Sequence, residues 1–547
     1  MKASDLFLEC LEQEGVKEIY GVPGEENADM MISLLDSPIE FVICHHEQAA
    51  AFMADVAGRL TGKPGVCLST LGPGATNMAT GVANANMDNS PVVAVTAQAG
   101  TNRLHKESHQ NMDAINLYKP ITKWSQSVFQ ADNIPEVVHK AFKLAATEKP
   151  GACMVELPED VAREDTLVRP FDSGGKARRP APDEKAVTRA VELLGKAEKP
   201  IILAGNGCVR TRASKQLNRF VDKTGIYAAN TFMGKGAISA RHDRCLFAAG
   251  LGLKDHVSYA FSKADLVICI GYDMVEWHPH IWNTGSDKKI IHIDFEPAEV
   301  DQNYRTDVEI VGDLAGSLWA LCESLGESHS WDVKEFKKER EHMLEGLQEC
   351  NADESFPLKP QRILSDLRSV MGDEDILVSD VGAHKMWIAR HYPAYSPGSC
   401  IISNGFCSMG IALPGALSAK RLYPERNVVG LCGDGGFLMN VQELATAVQY
   451  NIPATILVWE DGGYGLIKWK QMNRFGKYSH TDFINPDIVR MAESFGCNAI
   501  RVEAAGDLIP ALQAGFSEKK RPTVIAVPVD YDENMKLTEK LGKIISH

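Results

Sequence analysis

Two aspartates, Asp434 and Asp461, lie 27 positions apart, and each closes an apolar run that reads as a buried strand. The first run (Val428, Val429, Leu431, Cys432) ends in Gly433-Asp434-Gly435-Gly436, and the second, 452–459, ends in Glu460-Asp461-Gly462-Gly463. At the carboxyl edge of a parallel sheet, where open α/β sheets bind ligands, such a pair offers hard oxygen donors to one cation. Mg²⁺ takes one or two carboxylates and fills its shell with other oxygens, phosphate oxygens among them. The adjoining glycines let backbone approach a diphosphate without interference from a Cβ.

A third carboxylate stands early in the chain. His45-His46-Glu47 follow the apolar run 41–44. Glu47 falls at the first turn of a helix expected over 48–60, where the helix dipole favours negative charge. Strands are expected at 18–20, 41–44, 66–69 and 92–96, with another helix over 75–86, and this alternation predicts a parallel sheet. Arg169-Pro170-Phe171-Asp172-Ser173-Gly174-Gly175 and Arg178-Arg179-Pro180-Ala181-Pro182 read as a linker. A second βα series has strands at Pro200–Ala204, Leu266–Ile270 and 289–293, then a highly charged helical segment, 330–350, and a second linker, 351–360. The third series carries the aspartates. Its helix over 441–450 places Val441, Leu444, Ala445 and Val448 on one face, with Asn440 as N-cap and Glu443 three residues on. The expectation is an α/β protein of three doubly wound parallel-sheet domains, 1–170, 184–345 and 360–547, the first and third built on one plan.

The 547 residues suit about three domains. With 44% hydrophobic and 24% charged residues the composition is that of a soluble globular protein. A net charge of −15 argues against a nucleic-acid partner, which would want a basic face, while leaving small anionic substrates open. The 13 cysteines are scattered, several inside apolar runs, with neither zinc nor disulfide spacing, which fits buried reduced thiols in the cytoplasm. The segment Met1-Lys2-Ala3-Ser4-Asp5 reads as the start of an amphipathic helix rather than a signal peptide, and no stretch is apolar enough for a membrane span.

Gly433-Asp434-Gly435 with Asp461 27 positions on resembles the fingerprint of thiamine-diphosphate (ThDP) enzymes, which usually ends in Asn-Asn where this chain has Glu460-Asp461. Gly21-Val22-Pro23-Gly24, His46-Glu47, Gly72-Pro73-Gly74 and Ala75-Thr76-Asn77 resemble the pyrimidine-binding domain of that superfamily. The segments 379–387 and 403–410 resemble diphosphate-side loops of acetohydroxyacid (acetolactate) synthases. The resemblance covers essentially the whole chain. It implies ThDP and Mg²⁺ as cofactors, with Asp434, Asp461 and the Gly463 carbonyl on the metal. It implies Gly72, Val381, Gly382, His384, Met409, Gly433, Gly435, Gly436, Tyr464, Gly465, Leu466 and Ile467 around the cofactor, Met409 wedging it into a bent form and Leu466 and Ile467 flanking the thiazolium. Glu47 would hydrogen-bond N1′ of the aminopyrimidine, so that the cofactor can act as its own base at C2. Gln110 would sit near the substrate. Glu47 and the metal site would meet across a subunit interface, so a homodimer is the minimal active unit and a homotetramer the expected assembly. A regulatory subunit is left open.

His109-Gln110-Asn111-Met112-Asp113, the stretch 264–272 and Val527-Pro528-Val529-Asp530-Tyr531 resemble the catabolic, acetoin-pathway type of acetolactate synthase. Two pyruvates would then give 2-acetolactate and CO₂, with other 2-oxo acids as further acceptors. Lys470 stands where biosynthetic members carry a tryptophan, and Trp469 is one place off, which favours pyruvate as acceptor. Glu25 replaces an expected small residue and either lies near C2 or faces solvent. FAD stays open: Gly205-Asn206-Gly207 and 231–236 resemble flavin-contacting turns, but Tyr272-Asp273-Met274-Val275-Glu276-Trp277 lacks the arginines and aspartate of the flavin motif. Any FAD would be structural, because the synthase reaction is not redox. The alternatives are another ThDP-dependent decarboxylase or carboligase, a flavin-dependent pyruvate oxidase, or a silent protein of the same fold.

Overall fold

The computed structural model describes residues 1–171, 179–250, 255–326, 331–349 and 351–535. Its central strands are short apolar runs buried on both faces, as a parallel sheet covered by helices requires, while the edge strands Glu40–Ile43, Trp124–Ser127, Val308–Val311 and Asn498–Arg501 are partly exposed. The first sheet comprises β1 (Glu18–Gly21), β2 (Glu40–Ile43), β3 (Gly65–Ser69), β4 (Val92–Gln98), β5 (Trp124–Ser127) and β6 (Ala152–Pro158). The second comprises β7 (Pro200–Ala204), β8 (Tyr227–Asn230), β9 (Cys245–Ala248), β10 (Leu266–Ile270), β11 (Lys289–Asp294) and β12 (Val308–Val311). The third comprises β13 (Ile376–Ser379), β14 (Cys400–Ile402), β15 (Val428–Gly433), β16 (Thr455–Glu460), β17 (Asn498–Arg501) and β18 (Thr523–Pro528).

All pairings within the sheets are parallel, so every connection is a crossover. The first sheet runs β2-β1-β3-β4-β6-β5 and the third β14-β13-β15-β16-β18-β17, the same order strand for strand. The middle sheet differs, running β12-β11-β10-β7-β8-β9, a doubly wound order with its reversal between β7 and β10.

Equivalent helices of the two matching domains pack on each other. Glu47–Thr61 follows β2, Ala412–Leu422 follows β14, and their apolar faces share one core through Met53, Val56, Leu413 and Ala416. Gly415 makes room for this crossing, since a Cβ there would lie 2.9 Å from Val56 Cγ2. Half-buried Arg59 closes the same joint with Asp55 at 2.7 Å and Asp88 at 2.5 Å, and also donates to the Ile402 carbonyl at 3.4 Å.

Several expectations shift. The strand expected over 452–459 begins at Thr455, because Pro453 supplies no N–H for the ladder. The helix expected over 441–450 is Glu443–Gln449, and Asn440 does not cap it through its side chain. Instead Asn440 Nδ2 donates to the Gly410 carbonyl at 2.8 Å, while its own carbonyl takes the Glu443 N–H at 3.0 Å. Of the first linker, 172–178 lies outside the described residues, and Arg179 pairs with Asp313 at 3.0 Å. The charged segment is the helix Lys334–Gln348; residues 330 and 350 also lie outside the description. All cysteines among the described residues are free, and Cys407 alone of these is not fully buried. No helix among the described residues is long and apolar enough to cross a membrane.

Candidate cofactor and metal site

The carboxyl edge of the third sheet gathers the residues singled out above. β15 and β16 are hydrogen-bonded neighbours, with Gly433 opposite Trp459, so Asp434 and the loop holding Asp461 leave the sheet side by side. Asp434 is buried. Its Oδ1 accepts from the Gly435 N–H at 2.8 Å. Its Oδ2 accepts from the Asp461 N–H at 3.1 Å, the Gly462 N–H at 2.7 Å and Asn485 Nδ2 at 2.7 Å. Asp461 is pushed up to about 8, first by burial and then by the charge of Asp434. A buried carboxylate beside a half-buried one is uncomfortable without a cation, so this donor set fits Mg²⁺. The loop is pinned by an antiparallel bridge between Gly463 and Asp482 and by the Tyr464 N–H donating to the Thr481 carbonyl at 2.8 Å.

Beside the aspartates the edge is hollowed by glycines. A Cβ on Gly436 would meet Asp380 Oδ2 at 2.8 Å, and one on Gly382 would meet the His384 ring at 2.6 Å. Asp380 Oδ1 accepts from Val381 at 2.6 Å and from Gly410 at 2.8 Å, which ties the loop after β13 to the one carrying Met409. Burial pushes Asp380 up to about 6 and His384 down to about 3. Asp380 Oδ2, His384 Nε2 and Asn485 Oδ1 are sealed from solvent with no hydrogen-bond partner. Such atoms normally have partners, and a polar ligand in this hollow would supply them. Met409 and Leu466 are half-buried, whereas Tyr464, Ile467, Phe406 and Met439 are exposed on the same side of the domain's loops. Trp469 is buried and Lys470 exposed.

The first domain assembles a separate group. Glu47 is the first residue of its helix, capped by His46, whose Nδ1 accepts from the Gln48 N–H at 3.1 Å. Glu47 is buried, its Oε2 accepts from Asn77 Nδ2 at 3.0 Å, and its Oε1 would lie 3.2 Å from a Cβ on Gly74. Gly72 sits under the loop of Gln110: a Cβ there would meet the Gln110 carbonyl at 2.5 Å. The Gln110 residue itself is exposed and has φ +56°. Glu25 is exposed, and its neighbour Glu26 is the buried one, accepting from Thr70 at 2.8 Å. Among the described residues no hydrogen bond or ion pair joins Glu47 to Asp434, Asp461 or His384 of the same chain. From the third domain, Glu443 and Thr446 reach this turn, Glu443 accepting from the His45 N–H at 3.0 Å and Thr446 Oγ1 lying 3.1 Å from His45 Nδ1.

Sequence reading missed Asn485 and the role of Asp380. The pair Asn485-Pro486 signals a turn, but nothing local ties a turn to a carboxylate 51 positions away. The Gly-x-Gly turn of the middle domain has a different content. A Cβ on Gly205 would collide with the Gly271 carbonyl at 2.3 Å, and one on Gly207 with Gly271 Cα at 2.5 Å, so these glycines serve the close approach of two loops. Glu276 fills the crevice between them. It takes the Asn206 N–H at 3.1 Å, the Asp273 N–H at 3.1 Å and the Thr231 hydroxyl at 2.5 Å.

Three family models match in chain order: the N-terminal TPP binding domain of thiamine pyrophosphate enzymes over residues 1–117, the central domain over 187–321 and the C-terminal TPP binding domain over 380–527. The chain belongs to the thiamine pyrophosphate enzymes. Over 99% of its length it is 35% identical to the acetolactate synthase of Bacillus subtilis, covering 96% of that protein. It is 34% identical to the catabolic acetolactate synthase of Raoultella terrigena, over 98% of this chain and 97% of that one. A probable acetolactate synthase large subunit of Methanocaldococcus jannaschii is also 34% identical, over 100% of this chain and 94% of that one. Within its class the chain is thus a member of the acetolactate synthase family.

Proposed function

We propose that this chain is an acetolactate synthase that decarboxylates one pyruvate and joins the remaining two-carbon unit to a second, giving 2-acetolactate and CO₂. The observation that carries the site is Asp434 bound to the backbone of the loop that holds Asp461 and Gly463; the full-length likeness to acetolactate synthases supports the reaction.

ThDP, when bound, supplies the carbanion that attacks the 2-oxo acid. Asp434, Asp461 and the Gly463 carbonyl hold Mg²⁺. Gly433, Gly435, Gly436, Val381 and Gly382 would give a diphosphate room, and His384 Nε2, buried without a partner, would be available to it. Met409, Tyr464, Gly465, Leu466 and Ile467 keep water from the reacting end, which favours loss of the pyruvate carboxylate charge and disfavours protonation to acetaldehyde. Glu47 holds a proton at the aminopyrimidine N1′, with Gly72 beside the ring and Gln110 near the substrate. Because no hydrogen bond or ion pair among the described residues joins Glu47 to the metal site within one chain, and Tyr464, Ile467 and Phe406 leave apolar surface exposed, the complete site is formed between two copies, with a tetramer as the assembly. The domains extend over 1–170, 184–345 and 360–547, and the protein works in the cytoplasm. Glu276 in its crevice supports function without FAD. Buried Trp469 and exposed Lys470 support pyruvate as acceptor.

The test incubates the protein with pyruvate, Mg²⁺ and ThDP and measures acetolactate after acid conversion to acetoin, with acetaldehyde in parallel. Cofactor-dependent acetolactate in excess over acetaldehyde is the expected result. Acetaldehyde alone, or no turnover, would overturn the assignment.

A further inference from the structure

Outside this site, one group of side chains in the middle domain converges without a stated purpose. The helices His256–Lys263 and Lys334–Gln348 pack together, and a single oxygen, Glu339 Oε2, faces two imidazoles across their joint. It lies 2.5 Å from His256 Nδ1 and 3.8 Å from His342 Nδ1. The rings are tilted by 48° with centroids 5.3 Å apart, and the three ligand atoms all lie within 4.8 Å of one another. A plain histidine–carboxylate hydrogen bond accounts for His256 and Glu339. It does not account for His342, whose Nδ1 is sealed from solvent, too distant from Glu339 for a hydrogen bond, and without any other partner. That nitrogen is aimed at the same oxygen as its neighbour, and a metal ion between them gives it a partner.

We infer that His256, Glu339 and His342 form a Zn²⁺ site that clasps these two helices. Two imidazole nitrogens and one carboxylate oxygen are the donor types Zn²⁺ prefers, whereas Mg²⁺ prefers oxygen throughout. Around a tetrahedral Zn²⁺ with bonds near 2.0–2.1 Å, ligand atoms stand about 3.3 Å apart, so the observed separations need to change by up to about 1.5 Å, within reach of rotation of the half-buried imidazoles. Glu339 and His342 are three residues apart on one helix and so share a face. His256 opens the other helix. Asp255 caps that helix, its Oδ1 accepting from the Ser258 N–H at 2.9 Å, while its Oδ2 pairs with Arg390 at 3.0 Å. Arg390 lies on the helix Ala383–His391, whose first turn carries His384. The metal therefore sits beside the ion pair that joins the middle domain to the helix entering the cofactor hollow. Three protein ligands leave a fourth position for water.

The test strips the full-length protein of metal, reloads it with ThDP and Mg²⁺, and titrates Zn²⁺ against a chromophoric competitor while following thermal unfolding. One Zn²⁺ per chain is expected, with a rise in unfolding temperature. His342→Ala and the milder Glu339→Gln should each weaken binding at least about tenfold and abolish the thermal shift, with circular dichroism and acetolactate formation at wild-type levels. Wild-type protein that binds no stoichiometric Zn²⁺, or variants that bind it as tightly as wild type, would overturn the site. His342 is half-buried, so its variant folds; should His256→Ala fail to do so, the other two decide.

Discussion

The third and middle sheets both end in glycine-bearing loops at their carboxyl edges, yet their polar groups are balanced in opposite ways. At the third edge Asp380 Oδ2, His384 Nε2 and Asn485 Oδ1 are buried and unpaired, and Asp461 is pushed up beside Asp434. In the middle crevice Glu276 takes hydrogen bonds from two backbone N–H groups and a hydroxyl. The atoms without hydrogen bonds there, Asp294 Oδ2 and Arg210 Nη1, stand in ion pairs with Lys149 at 3.3 Å and Asp273 at 3.9 Å. An unpaired buried polar atom costs about 1–3 kcal/mol. A hollow that retains several is built for a ligand to complete, whereas a glycine turn alone is equally well explained by two loops that must touch.

The largest effect should come from breaking the third edge. Asp434→Ala removes one metal ligand and the acceptor of four donors, so affinity for ThDP–Mg²⁺ should fall by about 1,000-fold or more, roughly 4 kcal/mol; quenching of tryptophan fluorescence on cofactor addition would measure it. Near-normal binding would sink the metal assignment. Glu47→Gln should leave that affinity near wild type and lower turnover by about 10²–10⁴-fold, the range for a positioned acid–base group. Unchanged turnover would remove Glu47 from the catalytic role. Asn485→Ala removes one of the three donors to Asp434 Oδ2, and Mg²⁺ affinity at saturating ThDP should weaken about 10–100-fold, as for an outer partner of a ligand.

The middle crevice should answer differently. Added FAD should change neither acetolactate formation nor unfolding temperature, and a flavin spectrum in the purified protein would refute the closed crevice. Glu276 supplies the smallest effect. Burial, then Asp273, pushes it up to about 8, against about 4.3 in an unfolded chain. Between those values the folded state holds a proton that the unfolded state has released, so this group's contribution to stability falls as pH rises from about 5 to 8. Urea midpoints of wild type and Glu276→Gln across that range should converge or cross with rising pH; parallel curves would show that Glu276 ionises freely in the fold.

Much of the fold was legible before the structure. Strands β7 and β10 fall where their apolar runs place them, and the helix opened by Glu47 extends the expected one by a residue at each end. These elements are marked by periodicity and by their glycine, proline and polar boundaries. Asn440 misled because an asparagine before an apolar face suits a cap, while its amide is taken by Gly410, 30 positions away. Lys470 and Trp469 could be placed one after the other, but only the helix Gly465–Phe475 shows which of them is buried.

By itself the sequence determined the type and order of elements and the two aspartates that each close a strand. Those features are written in local composition and spacing. Only the tertiary structure decided that Asn485 reaches Asp434, that Glu276 fills the middle crevice, that the helices Glu47–Thr61 and Ala412–Leu422 form one joint, and that His256 meets His342 across Glu339. Each is a contact between segments distant along the chain. Sheet order and helix packing set such distances, and neither leaves a mark on the residues that happen to meet.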